Sequence, residues 1–258
     1  MRTIYNFKEE CYEGIDNNPR LQRVGKHRAR CDDLILNYPE YDYLVVNDCS
    51  KDNTEAILKR RGYNYLSLPT NLGIGGAVQS GYIYAAENGY DVAVQTDGDG
   101  QHDPAYIKDL IAPIAAGEAD MVIGSRFINK SGFQTSFMRR LGIKFIRFVI
   151  RITCGTKVTD TTSGFRATGK ELTACFAKEY AQDYPEPEAI VAASLKGFKV
   201  KEVPVEMRER EGGVSSINAL RSVYYMIKVS LALVILRFGT RRKKKTKAKK
   251  SKAQVEAK

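Results

Sequence analysis

Short apolar runs alternate with longer amphipathic stretches along most of the chain. Apolar runs bounded by Gly, Asn or Asp are typical of buried strands, and the periodic stretches between them are typical of helices. The predicted strands are Tyr43–Asn47, Tyr63–Leu68, Val92–Thr96, Asp120–Gly124 and Lys199–Val205. The predicted helices are Glu55–Arg61, Asn71–Asn88, Ala105–Ala116, Arg139–Thr153, Ala189–Leu195 and Ile217–Phe238. This alternation predicts an α/β fold with a mostly parallel sheet, flanked by helices, that binds ligands at the carboxyl ends of its strands.

Acidic residues follow the predicted strand Val92–Thr96, at the edge of the sheet formed by the carboxyl ends of its strands. The residues that follow it include Asp97, Gly98, Asp99, Gly100, Gln101 and Asp103. Such oxygen ligands suit Mg²⁺ or Mn²⁺, which usually take one or two carboxylates and complete their shell with substrate phosphates. The alternative interpretation is an acidic turn in which Asp103 caps the next helix before Pro104. Both can hold, because that cap leaves Asp97 and Asp99 without a structural role.

The predicted helix Arg139–Thr153 carries charge on one stripe. That stripe consists of Arg140, Lys144, Arg147 and Arg151, at spacings of four, three and four. A cationic stripe flanked by apolar residues suits a helix at an anionic membrane surface, although a helix that covers a sheet shows the same pattern. The helix Ile217–Phe238 is interrupted by Lys228. It has too few apolar residues for the ~20 that a span needs, so we expect an interfacial docking helix.

The net charge of +11 lies mostly at one end of the chain. Ten Lys or Arg residues and one Glu follow residue 240 and contribute +9, so the rest is nearly neutral. We expect a disordered, solvated tail beside anionic headgroups, and no specific nucleic-acid binding. A noncatalytic basic module that binds through this tail is an alternative.

The cysteines and the N-terminal composition bear on localisation. The five cysteines are scattered, with no C-x-x-C pair, which argues against a disulfide framework or a zinc site and favours a reducing compartment. The first thirty residues are charged throughout, unlike a signal peptide. We therefore expect a cytoplasmic protein, held peripherally at the inner face of the membrane.

Four motifs together resemble family 2 of the glycosyltransferases, which are inverting nucleotide-sugar enzymes of the GT-A fold. The family's D-x-D-x-Q-H-x-P motif stands in full from Asp97 to Pro104. The segment N-D-C-S-K-D-N-T at 47–54 is similar to D-D-G-S-x-D-x-T, with Asn47 in place of the first Asp and Cys49 in place of Gly. G-S-R at 124–126 and D-T-T-S-G-F-R at 160–166 match two further motifs. The likeness covers about residues 43–238 and extends to the branch that acts on polyprenyl phosphates.

This resemblance implies sugar transfer from a UDP- or GDP-type donor to a lipid phosphate, with Mg²⁺ or Mn²⁺ as cofactor. It implies that Asp99 and Gln101 hold the metal, that Asp97 holds the ribose or supports the metal shell, and that Asp48 contacts the nucleoside. The implied contacts of the acceptor phosphate are Arg126, Arg140 and Arg166. If the acceptor were instead a saccharide hydroxyl, as in cell-envelope polysaccharide synthesis, a carboxylate base would be needed. Glu188 is the candidate for that base.

Two glycine-rich segments are expected beside the donor diphosphate. Gly73, Gly75 and Gly76 open the helix that ends near Asn88, without the spacing of a dinucleotide fingerprint or a P-loop. We expect them to pack this helix closely on the sheet, with its N-terminus favouring anions. The segment Arg208–Ser216 is predicted to be a flexible loop that closes over the diphosphate.

Residues 1–36 lack the strand and the P-A-Y-N-E loop that the family has there. Reading the codons of residues 13–31 one base later permits that strand, the loop and an amphipathic helix, in the expected order. We hypothesise that this segment is a frameshifted translation, which would put the chain's own activity in question; an intact frame on resequencing would exclude it. The expected domains are then an aberrant segment at 1–36, the catalytic domain at 37–216, the docking helix at 217–240 and the tail at 241–258.

Overall fold

A seven-stranded sheet forms the centre of the protein. The computed structural model describes residues 3–8, 36–98, 100–129, 137–208 and 226–239, and for 3–8 and 137–139 only the secondary structure. The strands are β1 (Thr3–Lys8), β2 (Asp42–Asn47), β3 (Tyr65–Ser67), β4 (Val92–Asp97), β5 (Met121–Ser125), β6 (Arg166–Gly169) and β7 (Val200–Pro204). The helices are α1 (Thr54–Arg61), α2 (Gly73–Glu87), α3 (Ile107–Ala115), α4 (Phe137–Cys154), α5 (Lys170–Lys178), α6 (Pro185–Lys196) and α7 (226–239).

The strand directions place the sequence motifs at one edge of the sheet. The order is β3-β2-β1-β4-β6-β5-β7, and every neighbouring pair is parallel except those that involve β6. The carboxyl ends of β2, β4 and β5 therefore lie at the same edge as the amino end of β6. Arg166 opens β6 opposite Gln95 of β4 and Ile123 of β5. The motifs that follow β2, β4 and β5 and the motif that precedes β6 meet there.

Alternate residues of the strands enter two separate cores, as the two-residue period of a strand requires. Leu44, Ala93 and Ile123 belong to a large core with buried residues of α2, α4, α5, α6 and α7. Val45, Val94 and Val122 belong to a smaller core on the other face, with α1 and α3. Helices thus cover both faces of a sheet that is mainly parallel, which confirms the predicted α/β class.

Local chemistry explains where α3 begins. The Asp103 side chain accepts a hydrogen bond from the Ala105 amide at 3.0 Å, and Pro104 follows it at the first position of a short 3₁₀ turn that leads into α3. Proline suits this position because its missing amide proton would have no partner there. The predicted capping role of Asp103 is confirmed.

Two strands and one helix were not predicted. Thr3–Lys8 lies between β2 and β4, so the first 36 residues do supply a strand to the sheet. The frameshift hypothesis concerns residues that lie almost wholly outside the described ranges and stays a hypothesis. β6 was missed because its sequence, R-A-T-G, carries no run of apolar residues, and α5 follows it without a break.

The last described helix, α7, lies beside α4. A Cβ on Gly142 would lie 3.2 Å from the Met226 sulfur, and the Arg237 guanidinium donates to the Thr153 carbonyl. The two helices therefore run side by side in the same direction. Val229 and Leu233 bury one face of α7 in the large core. Among the residues described, no helix combines the length and apolar content that crossing a bilayer requires.

Candidate active site

The acidic end of β4 is held by its own following loop. The amide of Asp97 donates to His102 Nδ1 at 3.0 Å, and His102 is buried with its ring stacked on Phe165 at a centroid distance of 4.8 Å. Gly100 adopts φ +86°, which lets the loop turn back. The Asp97 side chain remains 33% exposed at the edge of the sheet. Asp99, the other aspartate of the motif, lies outside the described residues.

The segment before β6 lies directly against the Asp97 carboxylate. A Cβ added to Gly164 would lie 2.6 Å from Asp97 Oδ2 and 2.9 Å from Oδ1. These distances are shorter than van der Waals contact allows, so Gly164 is required for this approach. The loop from Asp160 to Phe165 therefore sets the space available to the carboxylate.

The loop after β2 is fixed to the start of α2. The buried Asp48 accepts from the Leu72 amide at 2.7 Å, and its carbonyl accepts from Asn71 Nδ2 at 3.2 Å. Asn47 is also engaged within the protein, since it accepts from the Ser50 amide and donates to the Ser67 hydroxyl. Asp48 thus lies at the predicted edge, with part of its carboxylate used to anchor α2.

Cys49 adopts the left-handed conformation, with φ +56°, at the position where the family motif has Gly. A side chain in this region costs roughly 1–2 kcal/mol, and glycine recovers this at an entropic cost of about 0.5–1 kcal/mol. We expect Cys49→Gly to raise the free energy of unfolding by about 0.5–1 kcal/mol in urea denaturation. Cys49→Ala keeps the strained conformation and is the matched control. Equal stability of the two variants would contradict the strain argument.

The glycines of α2 allow close packing, as predicted, but against a different partner. A Cβ on Gly75 would overlap the backbone of Ala181 and Gln182, in the segment that leads to α6. A Cβ on Gly76 would overlap Leu72, at the start of its own helix. At these two positions the nearest neighbours are therefore the chain before α6 and the start of α2, while the helix as a whole packs on β1, β2 and β4.

Arg126 lies at the end of β5 in a buried ion pair. Its Nε and Nη2 donate to the two carboxylate oxygens of Asp160 at 2.7 and 2.8 Å, and Nη2 also donates to Thr162 Oγ1. Asp160 is fully buried and Arg126 nearly so. A bidentate pair of this kind fixes the guanidinium in one orientation.

The chain after β7 pairs with the loop after β4. Met207 forms an isolated bridge with His102, and the Arg208 amide donates to the Gln101 carbonyl at 3.1 Å. Arg208 also bonds the Asp103 carboxylate at 2.6 Å. The predicted flexible loop lies outside the described residues after Arg208, but its first residue is held beside the acidic motif.

Residues 27–177 match the sequence pattern described as Glycosyl transferase family 2, which is more than half of the chain. The chain belongs to that family. It is 31% identical over 232 residues to the polyprenol monophosphomannose synthase of Mycolicibacterium smegmatis, covering 85% of this chain and 83% of that protein. It is 30% identical over 232 residues to the UDP-N-acetylglucosamine--dolichyl-phosphate N-acetylglucosaminyltransferase of Methanococcus voltae, covering 80% and 90%. This family 2 chain is therefore a glycosyltransferase.

A solved structure shares the fold of this family 2 enzyme. The glucosyl-3-phosphoglycerate synthase of Mycobacterium tuberculosis, in complex with Mn²⁺, UDP-glucose and phosphoglyceric acid, has a TM-score of 0.65. The comparison covers 92% of this chain and 80% of that one at 17% identity. At this identity the match supports the GT-A fold and carries no argument about individual residues.

The residues present in this glycosyltransferase suit a divalent cation that is shared with a substrate. Within the described ranges, no group of three or more His, Cys, Asp or Glu side chains could hold a metal by itself. Asp97 offers a partly exposed carboxylate at the edge of the sheet, and Gln101 follows in the same loop. Mg²⁺ and Mn²⁺ bind readily with few protein ligands when phosphates complete the shell. The donor set therefore fits the predicted metal.

The three predicted acceptor arginines occupy different environments. Arg140 is exposed on α4, whereas Arg166 is 0% exposed, with Nε donating to the Ser163 carbonyl at 2.7 Å and Nη1 to the Glu186 carbonyl at 2.8 Å. In this structure Arg166 therefore joins the start of α6 to the loop at Asp97 and is not accessible to an acceptor. The motif D-T-T-S-G-F-R predicted a role for Arg166 at the acceptor, but it did not indicate that Arg166 is the first residue of a buried strand.

Glu188 lies in the first turn of α6, near the segment that Arg166 holds. Burial raises the pKa of this half-buried carboxyl, and the nearby Asp183 raises it further. A raised pKa is a common property of a carboxylate that acts as a base. No described contact joins Glu188 to Asp97, so its predicted role stays a prediction.

Sequence reasoning missed the roles of Gly164, Asp160 and Glu202. Gly164 and Asp160 stood in a recognised motif, but only the fold shows that they face Asp97 and Arg126. Glu202 was part of a predicted strand. Its charge inside that strand was the only signal in the sequence.

Proposed function

We propose that this glycosyltransferase moves a sugar from a UDP- or GDP-sugar to a polyprenyl phosphate, with inversion at the sugar carbon. The observation that carries the proposal is the Asp97 carboxylate at the carboxyl end of a central strand, bounded by Gly164 and on the same edge as Asp48. The names of relatives in M. smegmatis and M. voltae, and of the undecaprenyl-phosphate mannosyltransferase of Micrococcus luteus, support a lipid-phosphate acceptor. The M. luteus protein is 32% identical over 192 residues, covering 70% of this chain and 77% of that protein.

On the donor side, Asp99 and Gln101 are the residues proposed to hold Mg²⁺ or Mn²⁺. When bound, such a cation neutralises the charge that develops on the leaving nucleoside diphosphate. Asp97 holds the ribose or supports the metal shell, and Asp48 contacts the nucleoside from the loop after β2. Gly164, which has no side chain, leaves room for the Asp97 carboxylate in either role.

On the acceptor side, positioning replaces acid–base chemistry. A lipid phosphate is already ionised at neutral pH, so in-line attack needs an oriented phosphate more than a general base. We assign that task to Arg140, which is exposed on α4, and to Arg126, whose side chain remains 7% exposed and is held in one orientation by Asp160. We leave Arg166 out of this set, because it is buried and bonded to two backbone carbonyls.

A saccharide hydroxyl is the second candidate acceptor, and the raised pKa of Glu188 favours it. Glu188→Gln separates the two acceptors. It should leave transfer to polyprenyl phosphate unchanged and should reduce transfer to a sugar hydroxyl. A noncatalytic basic protein is no longer a candidate, since the chain belongs to an enzyme family.

The proposed function predicts metal-dependent transfer that needs the second aspartate of the motif. The assay is transfer from labelled UDP-glucose, UDP-N-acetylglucosamine or GDP-mannose to polyprenyl phosphate in vesicles. We expect EDTA and Asp99→Ala each to reduce transfer at least ~100-fold, the scale of losing electrostatic stabilisation of a leaving group. Asp109→Ala, at an exposed aspartate of α3, is the matched control and should transfer normally. Transfer that survives both EDTA and Asp99→Ala would remove the metal from the mechanism.

We also propose that α4 and α7 together form the membrane-facing surface, since a lipid acceptor must be reached at a bilayer. Both helices bury one face in the same core and expose large apolar side chains on the other. The exposed apolar residues are Leu141, Phe145, Phe148, Ile152, Ile227, Leu231, Val234, Ile235 and Phe238. Exposed basic residues accompany them on both helices, and the Lys-rich tail follows α7 directly. Apolar residues bordered by positive charge suit an anionic lipid surface.

Removing two of these apolar side chains should weaken membrane binding. Burying one large apolar side chain contributes about 1.5–3 kcal/mol, so Phe148→Ser with Ile235→Ser should lower vesicle binding at least ~10-fold. The measurement is cosedimentation with phosphatidylglycerol-containing vesicles. Leu36→Ser removes an exposed apolar side chain elsewhere in the chain and should have no effect. Unchanged binding of the double variant would contradict the assignment of this surface.

A further inference from the structure

Glu202, in the middle of the edge strand β7, binds the turn that leads to the Asp97 site. Its Oε2 accepts from the Thr159 amide at 2.6 Å, and its Oε1 accepts from the Asp160 amide at 2.8 Å and from Thr159 Oγ1 at 3.1 Å. One half-buried carboxylate thus takes three hydrogen bonds from two consecutive residues.

Residues at the end of β5 also bind this turn. Asp160 binds the Arg126 guanidinium through both oxygens, and Thr159 Oγ1 lies 2.6 Å from Ser125 Oγ. Glu202 and Arg126 therefore clamp Thr159 and Asp160 between β7 and the end of β5. Four residues further along the chain, Gly164 touches the Asp97 carboxylate.

A second carboxylate at this place is energetically unfavourable by itself. Burial raises the pKa of Glu202, and the neighbouring Asp160 raises it further, while the hydrogen bonds from the turn lower it. Asp160 is fully buried. A half-buried carboxylate next to a buried one costs desolvation that a neutral cap would avoid. The three hydrogen bonds that fix the turn offset part of this cost.

We propose that Glu202 is a positioning residue, which fixes the Thr159–Gly164 segment so that Gly164 leaves the Asp97 carboxylate room in the position proposed for nucleotide and metal binding. Glu202 touches neither substrate nor metal in this assignment and acts through the turn alone. The inference rests on the proposed function of Asp97. It extends the site from the edge of β4 to β7, which lies three strands away in the sheet order.

The test is calorimetric titration of UDP and of GDP into the full chain in the presence of Mn²⁺, which measures binding without turnover. In Glu202→Gln, an NH₂ group replaces one of the two carboxylate oxygens. That group cannot accept a hydrogen bond, so one backbone amide of the turn loses its acceptor. For whichever of UDP and GDP binds the wild-type protein, we expect the dissociation constant to be at least ~5-fold higher in Glu202→Gln. Glu118→Gln is the matched control, because Glu118 is an exposed carboxylate whose partner, Lys201, adjoins Glu202. Its dissociation constant should equal that of wild type.

A milder variant covers the case in which Glu202→Gln does not fold. Thr159→Val removes the hydroxyl bonds to Glu202 and Ser125 and keeps the two backbone bonds, so a smaller rise in the same direction is expected. A purely structural Glu202 would lower the unfolding midpoint and leave the dissociation constant of the folded protein unchanged, and that result would overturn the inference. If wild type bound neither nucleotide with Mn²⁺, the proposed function would fail first and the inference with it.

Discussion

Gly164→Ala is expected to reduce sugar transfer at least ~100-fold while the protein remains folded. The new Cβ would lie 2.6 Å from one Asp97 oxygen, 2.9 Å from the other and 3.0 Å from the carboxyl carbon. Either the carboxylate or the loop must therefore move, and a displacement of about 1 Å at a reacting centre can cost 10²-fold in rate. The measurements are transfer to polyprenyl phosphate and Mn²⁺-dependent nucleotide binding, both of which should fall.

Gly239→Ala is the matched control for this substitution. A Cβ at Gly239 would meet nothing within 4 Å, and this glycine lies at the end of the described part of α7. Its activity should equal that of wild type. If Gly164→Ala transferred sugar within threefold of wild type, the carboxylate would not need the space that Gly164 provides, and the place of Asp97 in the mechanism would be lost.

Arg126→Ala is expected to lower the free energy of unfolding by about 3–5 kcal/mol, the usual cost of removing one partner from a buried ion pair. Asp160 is fully buried, and its two carboxylate oxygens accept hydrogen bonds from Arg126 Nε and Nη2. Without the guanidinium, a buried carboxylate would lack its counter-charge. The measurement is urea denaturation of wild type and variant.

Two comparisons distinguish this effect from a general effect of losing an arginine. Arg151→Ala removes an exposed charge on α4 and should change the free energy of unfolding by less than about 0.5 kcal/mol. Arg126→Lys keeps the charge but cannot form the bidentate pair, so it should fall between wild type and Arg126→Ala. If Arg126→Ala unfolded within 1 kcal/mol of wild type, the Arg126–Asp160 pair would not stabilise the fold.

Much of the fold could be predicted because its main strands bury side chains on both faces. Val92, Val94 and Ala93 are all buried, in two different cores, so their run is apolar without a break. Asp103 and Pro104 likewise identify the start of α3 through local chemistry alone. Such features depend on neighbouring residues in the chain and are therefore visible in the sequence.

β1 and β6 were not predictable by the same reasoning. β1 forms because it pairs in parallel with β2 on one side and with β4 on the other, and both partners lie far along the chain. β6 is short and contains Arg166, a residue that pattern analysis assigns to the surface. Its guanidinium can be buried because it donates hydrogen bonds to two backbone carbonyls, those of Ser163 and Glu186. Ser163 is three residues away, but Glu186 lies 20 residues further along the chain, and only the fold brings its carbonyl to the guanidinium.

The sequence by itself determined the α/β class, the edge of the sheet where the site lies and the motifs that meet there, because apolar periodicity and motif spacing are local. Only the tertiary structure decided how those motifs touch. It placed Gly164 against Asp97, locked Arg126 to Asp160, withdrew Arg166 into the interior and brought Glu202 to the same turn. The Gly164–Asp97, Arg126–Asp160 and Glu202–Asp160 contacts join segments that only the packing of the strands into one sheet brings together.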